Sequence, residues 1–442
     1  MKGKFFIETY GCQMNVHDSE YMATLLEKAG YIETKDVKKA DIIIVNTCAV
    51  RQKSEEKVYS FLGRLKSLKK RKPDLIIGVG GCVAQKEGEK ILKKMPFVDL
   101  VFGTHQFYRI LEFIEYIKEN KKQICFIEFN QIEPPYDLIP FPRDGYGRAY
   151  ITIIQGCNNF CTYCIVPYVR GRIISRKSEK ILQEAKTLVE QGVKEIILLG
   201  QNVNAYGQDR PDEISFPELL HSLAKIPGLK RLRFITSHPK DLSLELIKTF
   251  KEIDILCEQI HLPVQAGSDR ILKKMGRKYT RSDYLKKIEA LRKICPNIAI
   301  TTDIIVGFPG ETEDDFKDTL SLLKEVEFDA IFAFKYSDRP PAKAVLFPDK
   351  IDEKIKAERL KTVLEIQAPI TEAKNKEKEG KVVEVLLDNY SKKDPKQLSG
   401  RTRCYRVVNV EAEPKLLGHL VEVKIERALA HSLRGKVVKI ID

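Results

Sequence analysis

The stretch that decides the fold runs from Gly156 to Cys164 and reads Gly-Cys-Asn-Asn-Phe-Cys-Thr-Tyr-Cys. Its cysteines, Cys157, Cys161 and Cys164, follow the spacing C-x3-C-x2-C. Three thiolates this close on one loop can hold three irons of a [4Fe–4S] cluster and leave the fourth iron open for a substrate or cofactor. A structural zinc site needs four closed ligands. A zinc knuckle and three incidental thiols are therefore the weaker alternatives.

The composition is that of an ordinary globular protein. The chain has 442 residues, of which 43% are hydrophobic and 31% charged, enough for about three domains. No apolar run approaches the ~20 residues of a membrane span, and the N-terminus lacks the layout of a signal peptide. We therefore expect a cytoplasmic protein without a membrane partner, and we expect a monomer. Its ten cysteines are predicted to be ligands or core residues rather than disulfides.

The charge balance favours a polyanionic partner. The formal net charge is +14, which is typical of nucleic-acid binding, although a lysine-rich thermophilic surface would give the same balance. Residues 51–72 hold nine Lys or Arg against two Glu, further arginines follow the cysteine loop, and residues 378–442 hold 14 basic and nine acidic residues. The predicted phosphate and base-stacking contacts to RNA are Arg401, Arg403, Tyr405, Arg406 and Arg434.

Strand and helix patterns alternate over residues 4–128, and this alternation predicts a doubly wound parallel sheet with helices on both faces. The proline-rich residues 130–147 read as a linker. A second alternation begins at residue 148 and contains six strand candidates, which suit a partial (β/α)6 barrel. The predicted strands of both alternations are Phe5–Thr9, Asp41–Asn46, Leu75–Gly80, Val98–Phe102, Ala149–Ile154, Glu195–Leu199, Arg231–Thr236, Gln259–His261, Ala299–Val306 and Ala330–Ala333.

The last part of the chain shows short strand signals separated by turns, which predict a small β-barrel after a long charged helix near 352–379. The α/β chain is thus predicted to divide into four segments: 1–129, a linker at 130–147, 148–377 and 378–442.

A second set of cysteines occupies the ends of three predicted strands in the first alternation. Cys12, Cys48 and Cys82 follow the first, second and third of these strands. Because the carboxyl ends of parallel strands meet at one edge of a sheet, we expect the three thiols to converge there. They predict a second cluster with an open iron, and the alternative is three buried structural cysteines.

With both cysteine sets, the chain resembles the radical S-adenosylmethionine (SAM) methylthiotransferase family over essentially its whole length. The resemblance implies an N-terminal cluster domain, a radical SAM core and a C-terminal RNA-binding β-barrel called TRAM. The matching stretches include Tyr10–Asn15, Gly156–Tyr168, Leu199–Asn204, Thr236–Pro239, His261–Ser268, Gly307–Thr312 and Ser432–Val437. Gln201–Asn204 and Ser432–Val437 point to the tRNA-modifying branch.

The resemblance also implies which cofactors are bound and by what. Two [4Fe-4S] clusters are implied, one on each cysteine set, with the set in the Gly156–Cys164 loop binding and cleaving SAM. The polar residues implied to contact SAM are Gln201, Ser237, Gln265, Ser268 and Asp303.

The implied activity is that of a transferase that adds a methylthio group to C2 of N6-(dimethylallyl)adenosine at position 37 of tRNA, within the anticodon stem-loop. An external electron donor and a sulfur donor are implied partners. The alternatives are the same reaction on N6-threonylcarbamoyladenosine of tRNA and, less compatible with the basic terminal segment, on an aspartate of a ribosomal protein. A different class of function is an RNA-binding iron–sulfur sensor without turnover.

Overall fold

The structure is a computed structural model that describes residues 2–49, 52–129, 138–143 and 145–442, with the side chains of residues 52–54 left aside. Half of the predicted linker, residues 130–137 and 144, therefore falls outside the described residues. The chain divides into two compact units. The first comprises Met1–Arg143, Ile154–Asn158 and Cys164–Arg176, and the second comprises Asp144–Ile153, Asn159–Tyr163 and Lys177–Asp442.

The first unit is built on a parallel sheet, which within the described residues has six strands in the order β2-β1-β3-β4-β5-β6. The strands are β1 (Lys4–Tyr10), β2 (Ile32–Glu33), β3 (Ile42–Thr47), β4 (Ile76–Gly81), β5 (Leu100–Phe102) and β6 (Ile124–Phe126). The helices are α1 (Gln13–Lys28), α2 (Gln52–Arg71), α3 (Cys82–Glu87), α4 (Glu89–Lys94) and α5 (Ile110–Asn120). The four strands predicted from the sequence are present, and the two it missed, β2 and β6, are the short edge strands.

Both faces of this sheet are buried, which explains the unbroken apolar run of β3. Ile42 and Ile44 pack with side chains of α1 and α5 on one face. Ile43 and Val45 pack with side chains of α2, α3 and α4 on the other. The predicted doubly wound arrangement is therefore confirmed.

The second unit contains two parallel three-stranded sheets, in the orders β11-β10-β7 and β12-β13-β14. A parallel bridge between Leu232 and Leu256 joins β11 to the segment before β12. The strands are β7 (Arg148–Thr152), β10 (Glu195–Leu199), β11 (Arg231–Phe234), β12 (Gln259–His261), β13 (Ala299–Val306) and β14 (Ala330–Lys335). The helices are α7 (Ser178–Glu190), α8 (Phe216–Ala224), α9 (Leu244–Glu252), α10 (Asp269–Met275), α11 (Arg281–Ile294), α12 (Glu313–Val326) and α13 (Glu353–Lys376). These six strands confirm the predicted (β/α)6 pattern.

Residues 154–176, which follow β7, contain the short strands β8 (Ile154–Gln155) and β9 (Ile174–Ser175) and the helix α6 (Val166–Arg170). Ile165 and Val169 join the apolar cluster between the first sheet and α2. The Thr104 hydroxyl donates to the Val169 carbonyl at 2.6 Å. These contacts anchor residues 164–176 within the first unit, whereas residues 159–163 belong to the second.

The chain ends in a closed barrel with strand order β15-β16-β17-β19-β18. Its strands are β15 (Val382–Tyr390), β16 (Leu398–Thr402), β17 (Val407–Val410), β18 (Leu420–Ala428) and β19 (Leu433–Ile440). Aliphatic side chains fill its interior, including Val385, Leu387, Val408, Val421 and Leu433. The predicted terminal β-barrel is confirmed. In the described ranges, no helix combines the length and the apolar character that a membrane crossing requires.

Candidate metal centres and cofactor site

The strand-end cysteine set, which is Cys12, Cys48 and Cys82, lies at the aligned ends of three neighbouring strands. In the sheet register Tyr10 of β1 pairs with Thr47 of β3, and Thr47 pairs with Gly81 of β4. Cys12, Cys48 and Cys82 follow within one or two residues of this line. Adjacent strands stand about 4.8 Å apart, so the three cysteines come from one short stretch of sheet edge. Cys48 and Cys82 are buried and Cys12 is exposed.

A buried network of polar side chains ties these strand ends together. The Asn15 amide donates to Asn46 Oδ1 and to the Thr47 carbonyl, both at 3.1 Å. The Cys12 backbone N–H and thiol donate to Asn15 Oδ1 at 3.3 and 3.4 Å. The Thr47 hydroxyl donates to the Gly80 carbonyl and accepts from the Val83 N–H at 3.1 Å. The positions of all three cysteines are thereby coupled, as expected of a metal centre whose ligands are oriented by an outer shell.

A buried guanidinium lies beside this set. Arg170 Nη2 donates to Asp18 Oδ2 at 3.0 Å, with both side chains almost fully buried. Burial raises the pKa of the Cys82 thiol, and the neighbouring Arg170 charge opposes that rise. Arg170 Nη1 is buried and finds no hydrogen-bond partner among the described residues. A positive group with a spare donor fits a centre whose thiolates carry negative charge.

A glycine precedes one cysteine of each set, Gly81 before Cys82 and Gly156 before Cys157, and the local backbone leaves no room for a side chain at either position. Gly81 has φ +87°, and a Cβ there would lie 2.5 Å from the Thr47 carbonyl oxygen. Gly156 has φ +80°, and its Cβ would lie 2.0 Å from the Arg172 carbonyl oxygen. Any side chain at either position would displace the adjoining cysteine, Cys82 or Cys157.

In the described part of the chain, no three side chains among His, Cys, Asp and Glu converge tightly enough to hold one metal ion. Cys12, Cys48 and Cys82 nevertheless follow neighbouring strand ends that lie in register. In a [4Fe–4S] cluster each thiolate binds its own iron, so three cysteines that follow separate strands are the donor set such a cluster needs.

The loop cysteine set, which is Cys157, Cys161 and Cys164, occupies the loop after β8. The Cys157 N–H donates to the Gly171 carbonyl at 3.1 Å. Cys161 is buried, and Arg277 Nη1 donates to its sulfur at 3.4 Å. Cys164 is half-buried. A hydrogen bond to a ligand sulfur is one of the means by which proteins set the potential of a cluster.

Arg277 is itself fixed by several bonds. Its guanidinium donates to the Pro263 carbonyl at 2.6 Å, to the Tyr279 hydroxyl at 2.8 Å and to the Tyr163 hydroxyl at 3.3 Å. Sequence reasoning missed Arg277, because an arginine 116 positions beyond Cys161 carries no local signal of the contact.

The residues predicted to contact SAM have different surroundings. Gln265 is buried with φ +78°, a conformation that costs energy for a residue with a side chain and that concentrates at functional sites. Ser237 is buried beside Thr236, which has φ +71°. Gln201 is half-buried directly after β10. The Ser268 hydroxyl, in contrast, caps α10 and donates to Asp315 at 2.5 Å, which gives it a structural role.

Two adjoining loops supply further polar groups. The Val203 N–H donates to the Thr236 carbonyl at 3.1 Å, which joins the loop after β10 to the loop after β11. Four side chains on these loops have buried polar atoms without a hydrogen-bond partner in the described residues, namely Asn202, Asn204, Ser237 and His238. Such atoms are costly unless a ligand satisfies them. The amino, carboxylate and hydroxyl groups of SAM have the complementary chemistry, so these loops fit the cofactor.

Asn204 and His238 were not among the predicted contacts, although both lie in stretches that resemble the family. Burial, followed by the charges of Arg277 and nearby lysines, lowers the pKa of His238 to about 2. Its ring is therefore neutral at physiological pH. Its Nδ1 accepts from the Lys240 N–H at 3.1 Å, so the unpartnered Nε2 carries the ring proton and can donate.

Asp303 belongs to a row of side chains on neighbouring strands. Asp303 pairs in register with Phe332, and its carboxylate lies 3.5 Å from His261 Nε2. The Phe332 ring meets the His261 ring edge-on, with centroids 5.7 Å apart, and is 48% exposed. On β13 the next residue, Ile304, points to the opposite side of the sheet and is fully buried. This row therefore presents an aromatic face to whatever enters the partial barrel.

Four of the predicted RNA contacts are occupied by partners within the second unit. Arg403 bonds bidentately to Glu258 at 2.7 to 3.1 Å, and Arg406 donates to Asp329 at 2.7 Å. The guanidinium carbons of Arg233 and Arg401 lie 4.6 and 4.4 Å from the centroid of the Tyr405 ring. Arg434, the fifth, is exposed.

These contacts attach the terminal barrel to the N-terminal ends of the core strands. Arg231, the first residue of β11, donates to Glu384 at 2.7 Å and to the Arg401 carbonyl at 2.8 Å. Arg148, the first residue of β7, pairs with Asp388 at 2.7 Å. Glu258 and Asp329 precede β12 and β14. Cations in the turn from Arg401 to Arg406 therefore have a structural role that the sequence did not reveal.

The other basic segments are also divided between core and surface. Arg170 and Arg176, which follow the cysteine loop, are buried. In α2, Phe61 packs in the core, and burial raises the pKa of Tyr59 to about 12. Neither ring is free to stack on a base. From residue 55 onward, the exposed cations of this helix are Lys57, Arg64, Lys66, Lys70 and Arg71.

Comparison with known proteins agrees with this architecture. Residues 4–103 match an uncharacterized protein family, UPF0004, residues 151–323 match the radical SAM superfamily and residues 376–438 match the TRAM domain. A tRNA-2-methylthio-N(6)-dimethylallyladenosine synthase of Syntrophus aciditrophicus is 48% identical over 437 residues, covering 99% of this chain and 95% of the relative. A synthase of the same name from Clostridium tetani is 50% identical over 439 residues, covering 99% and 97%.

Among solved structures, the radical SAM methyltransferase TsrM of Kitasatospora setae superposes with a TM-score of 0.57. The match covers 78% of this chain and 77% of TsrM at 14% identity, which is a likeness of fold alone.

The parallel partial barrel, the C-x3-C-x2-C loop and the superfamily match together define a radical SAM enzyme with a terminal TRAM domain. Enzymes of this class use SAM and an iron–sulfur cluster. At 48–50% identity over nearly full length, the chain belongs to the family of tRNA-2-methylthio-N(6)-dimethylallyladenosine synthases. The family resemblance found in the sequence is thereby confirmed.

Proposed function

We propose that this chain is a tRNA methylthiotransferase that replaces the C2 hydrogen of N6-(dimethylallyl)adenosine at position 37 with a methylthio group. The observation that carries the proposal is the presence of two separate cysteine sets, one at the strand ends of the first sheet and one on the loop after β8. A single cluster would account for SAM cleavage, but the reaction also needs a place from which sulfur is delivered. The full-length relatives bear the name of this activity.

In this proposal each cysteine set holds one [4Fe–4S] cluster. When bound, the cluster on the loop supplies the electron for reductive SAM cleavage, and the cluster at the strand ends supplies the site of sulfur transfer. The chain's own side chains hold and tune these groups. Arg277 donates to the sulfur of Cys161, Arg170 lies beside Cys82, and the Asn15 network holds the strand ends in register.

SAM binding is proposed for the loops after β10 and β11. Asn204, Ser237 and His238 offer buried donors and acceptors there, and Gln201, Gln265 and Asp303 remain proposed contacts. Ser268 is left out of this set because its hydroxyl is bonded to Asp315.

The target base has to leave the anticodon stack to reach the barrel, as in other enzymes that modify bases. The exposed Phe332 ring, held against His261, offers an aromatic surface on which an adenine can stack. The ring is 48% exposed, so part of it can contact a base. An apolar ring also suits a dimethylallyl group better than a charged threonylcarbamoyl group.

The further partners are an external electron donor, a sulfur donor and the tRNA anticodon stem-loop, which the TRAM domain is proposed to help bind. A cytoplasmic location and a monomeric state are part of the same proposal.

The test is nucleoside analysis by mass spectrometry after anaerobic incubation of the reconstituted protein with SAM, sulfide, reductant and tRNA that carries N6-(dimethylallyl)adenosine. The methylthio nucleoside should form, and tRNA carrying threonylcarbamoyladenosine should remain unmodified. Methylthiolation of the second tRNA alone would assign the chain to the other tRNA branch. SAM cleavage without any modified nucleoside would overturn the proposal.

A Cys82→Ala variant separates the two cysteine sets. It should still cleave SAM to 5′-deoxyadenosine, because the loop cysteines are intact, but it should form no methylthio nucleoside. Cys125→Ala is the matched control, since Cys125 is a half-buried thiol of the same unit outside both sets. Methylthiolation by Cys82→Ala at the control's rate would remove the strand-end set from the reaction.

A further inference from the structure

The outer surface of the β18–β19 hairpin carries cations directly opposite one another. Lys424 pairs in register with Lys436, and Arg427 pairs with Arg434. Directly opposed residues of an antiparallel pair project from the same face, with Cβ atoms about 5 Å apart. All four side chains are exposed. Arg434 and Lys436 are two residues apart on one strand, so both pairs lie on a single face, which we call the hairpin face.

Like charges placed directly opposite each other destabilise a sheet. The neighbouring acids offset this only in part, because Glu426 pairs with Lys436 at 3.0 Å across an exposed surface and exposed ion pairs contribute about 1 kcal/mol or less. Arg427 and Arg434 have no carboxylate within ion-pair distance in the continuously described residues 145–442. The fold alone therefore does not account for this charge arrangement.

The hairpin face differs from the turn from Arg401 to Arg406 of the same barrel. The cations of the turn from Arg401 to Arg406 are bonded to Glu258 and Asp329 of the core, so they cannot also take up phosphates without breaking those bonds. On the hairpin face, phosphate binding would break at most the exposed ion pair between Lys436 and Glu426. A polyanion would remove their mutual repulsion.

We propose that the hairpin face is the surface of the terminal barrel that binds the phosphate backbone of tRNA. The inference rests on the proposed function, because it names the surface through which the tRNA substrate is held. Two rows of cations, from Lys424 and Lys436 and from Arg427 and Arg434, would each contact phosphates. The turn from Arg401 to Arg406 would serve to fix the barrel to the core.

The test compares Lys424→Gln/Lys436→Gln and Arg427→Gln/Arg434→Gln with a control of equal charge change, Lys392→Gln/Lys393→Gln. Lys392 and Lys393 are exposed on the β15–β16 connection of the same barrel and lie outside the hairpin face. Affinity for unmodified tRNA is measured by filter binding across a salt series. Removing one cation that binds a phosphate should flatten the slope of log affinity against log salt by about one. Each hairpin-face variant should therefore flatten the slope by about two and weaken binding several-fold, and the control should do neither.

A second measurement separates binding from folding. Without tRNA, the hairpin-face variants should melt at the same temperature as the unmutated protein or above it, because a repulsive pair has been removed. A lower melting temperature together with weaker binding would assign these residues a structural role and overturn the proposal. Slopes and affinities equal to those of the control would also overturn it.

The outcome for the unmutated protein distinguishes this inference from the proposed function. If the unmutated protein binds no tRNA, the proposed function itself fails. If it binds and methylthiolates tRNA while the hairpin-face variants match the control, only the inference fails. Binding of the face to anionic phospholipid vesicles but not to tRNA would assign it to a membrane surface and likewise overturn the inference.

Discussion

Replacing Arg170 with Met should destabilise the first unit strongly. The substitution keeps most of the side-chain volume but leaves the Asp18 carboxylate buried without its partner, since the Nη2–Oδ2 bond of 3.0 Å joins side chains that are 3% and 4% exposed. Removing one member of a buried pair costs about 3–5 kcal/mol. The more exposed ion pair between Arg109 and Glu112 is a matched comparison. Because water solvates the carboxylate that is left behind, Arg109→Met should lower the free energy of unfolding by less than about 1 kcal/mol.

Hydrogen exchange followed by mass spectrometry can measure this difference in the cluster-free, reduced protein. Peptides of β3 and β4 report on opening of the first unit, because amides of core strands exchange through its largest opening. Arg170→Met should accelerate their exchange by roughly a hundredfold to a few thousandfold, which corresponds to 3–5 kcal/mol. Peptides of β13, in the second unit, serve as an internal reference.

The double variant Arg170→Met/Asp18→Asn should lose less stability than the sum of the two single variants, because it removes both charges. Exchange in Arg170→Met no faster than in Arg109→Met would refute the reasoning, since it would mean that the Asp18 charge is not buried when its partner is gone. Strict additivity in the double variant would refute the claimed pairing.

Four further outcomes are expected. The fully reconstituted protein should contain about eight irons, and alanine at all three loop cysteines should leave about half of them; iron near four in the unmutated protein would rule out two clusters. The remaining cysteines are Cys125, Cys257, Cys295 and Cys404. Replacing any single one with serine should change neither iron content nor methylthiolation, and loss of a cluster in one such variant would show that the ligands are misassigned. Asn204→Ala should weaken SAM binding in equilibrium dialysis without loss of iron, whereas unchanged affinity would remove Asn204 from the site. Burial alone would raise the pKa of Asp315, but hydrogen bonds from Arg270, Ser268 and Thr312 lower it. The charged carboxylate therefore contributes its full stabilisation above about pH 4, and this contribution is lost as the pH falls further. Asp315→Asn should be less stable than the unmutated protein near pH 7, by a difference that shrinks below pH 4; a difference that does not change with pH would contradict this.

The strands could be predicted because their sequence signals are local. The run from Ile42 to Val45 is apolar at every position, and the structure buries alternate residues on two faces of the sheet. The placement of Cys12, Cys48 and Cys82 at one sheet edge needed only the parallel topology. Short edge strands such as β2 and β6 carry too few residues for a pattern.

Contacts between distant parts of the chain could not be predicted. The sequence does not distinguish an arginine that binds phosphate from one that binds a carboxylate of the same chain. Arg403, for example, is bonded to Glu258, which lies 145 residues before it. The buried, unpartnered amide of Asn204 likewise has no signal of its own, because burial is decided by the packing of separate loops. The family resemblance predicted which residues form the site, whereas the structure was needed to distinguish its candidate polar residues from helix caps such as Ser268.

The attachment of the terminal barrel to the core strands bears on how this protein can be dissected. Arg231 and Arg233 are fully buried, and they donate to Glu384 and to backbone carbonyls of Arg401 and Arg403. A chain truncated before the barrel would leave these two guanidiniums without their hydrogen-bond acceptors and would expose the N-terminal ends of the core strands to water. The barrel therefore also stabilises the core, so loss of activity in a variant without the barrel would not show that the barrel binds RNA. Only substitutions on the outer surface can test what the barrel binds.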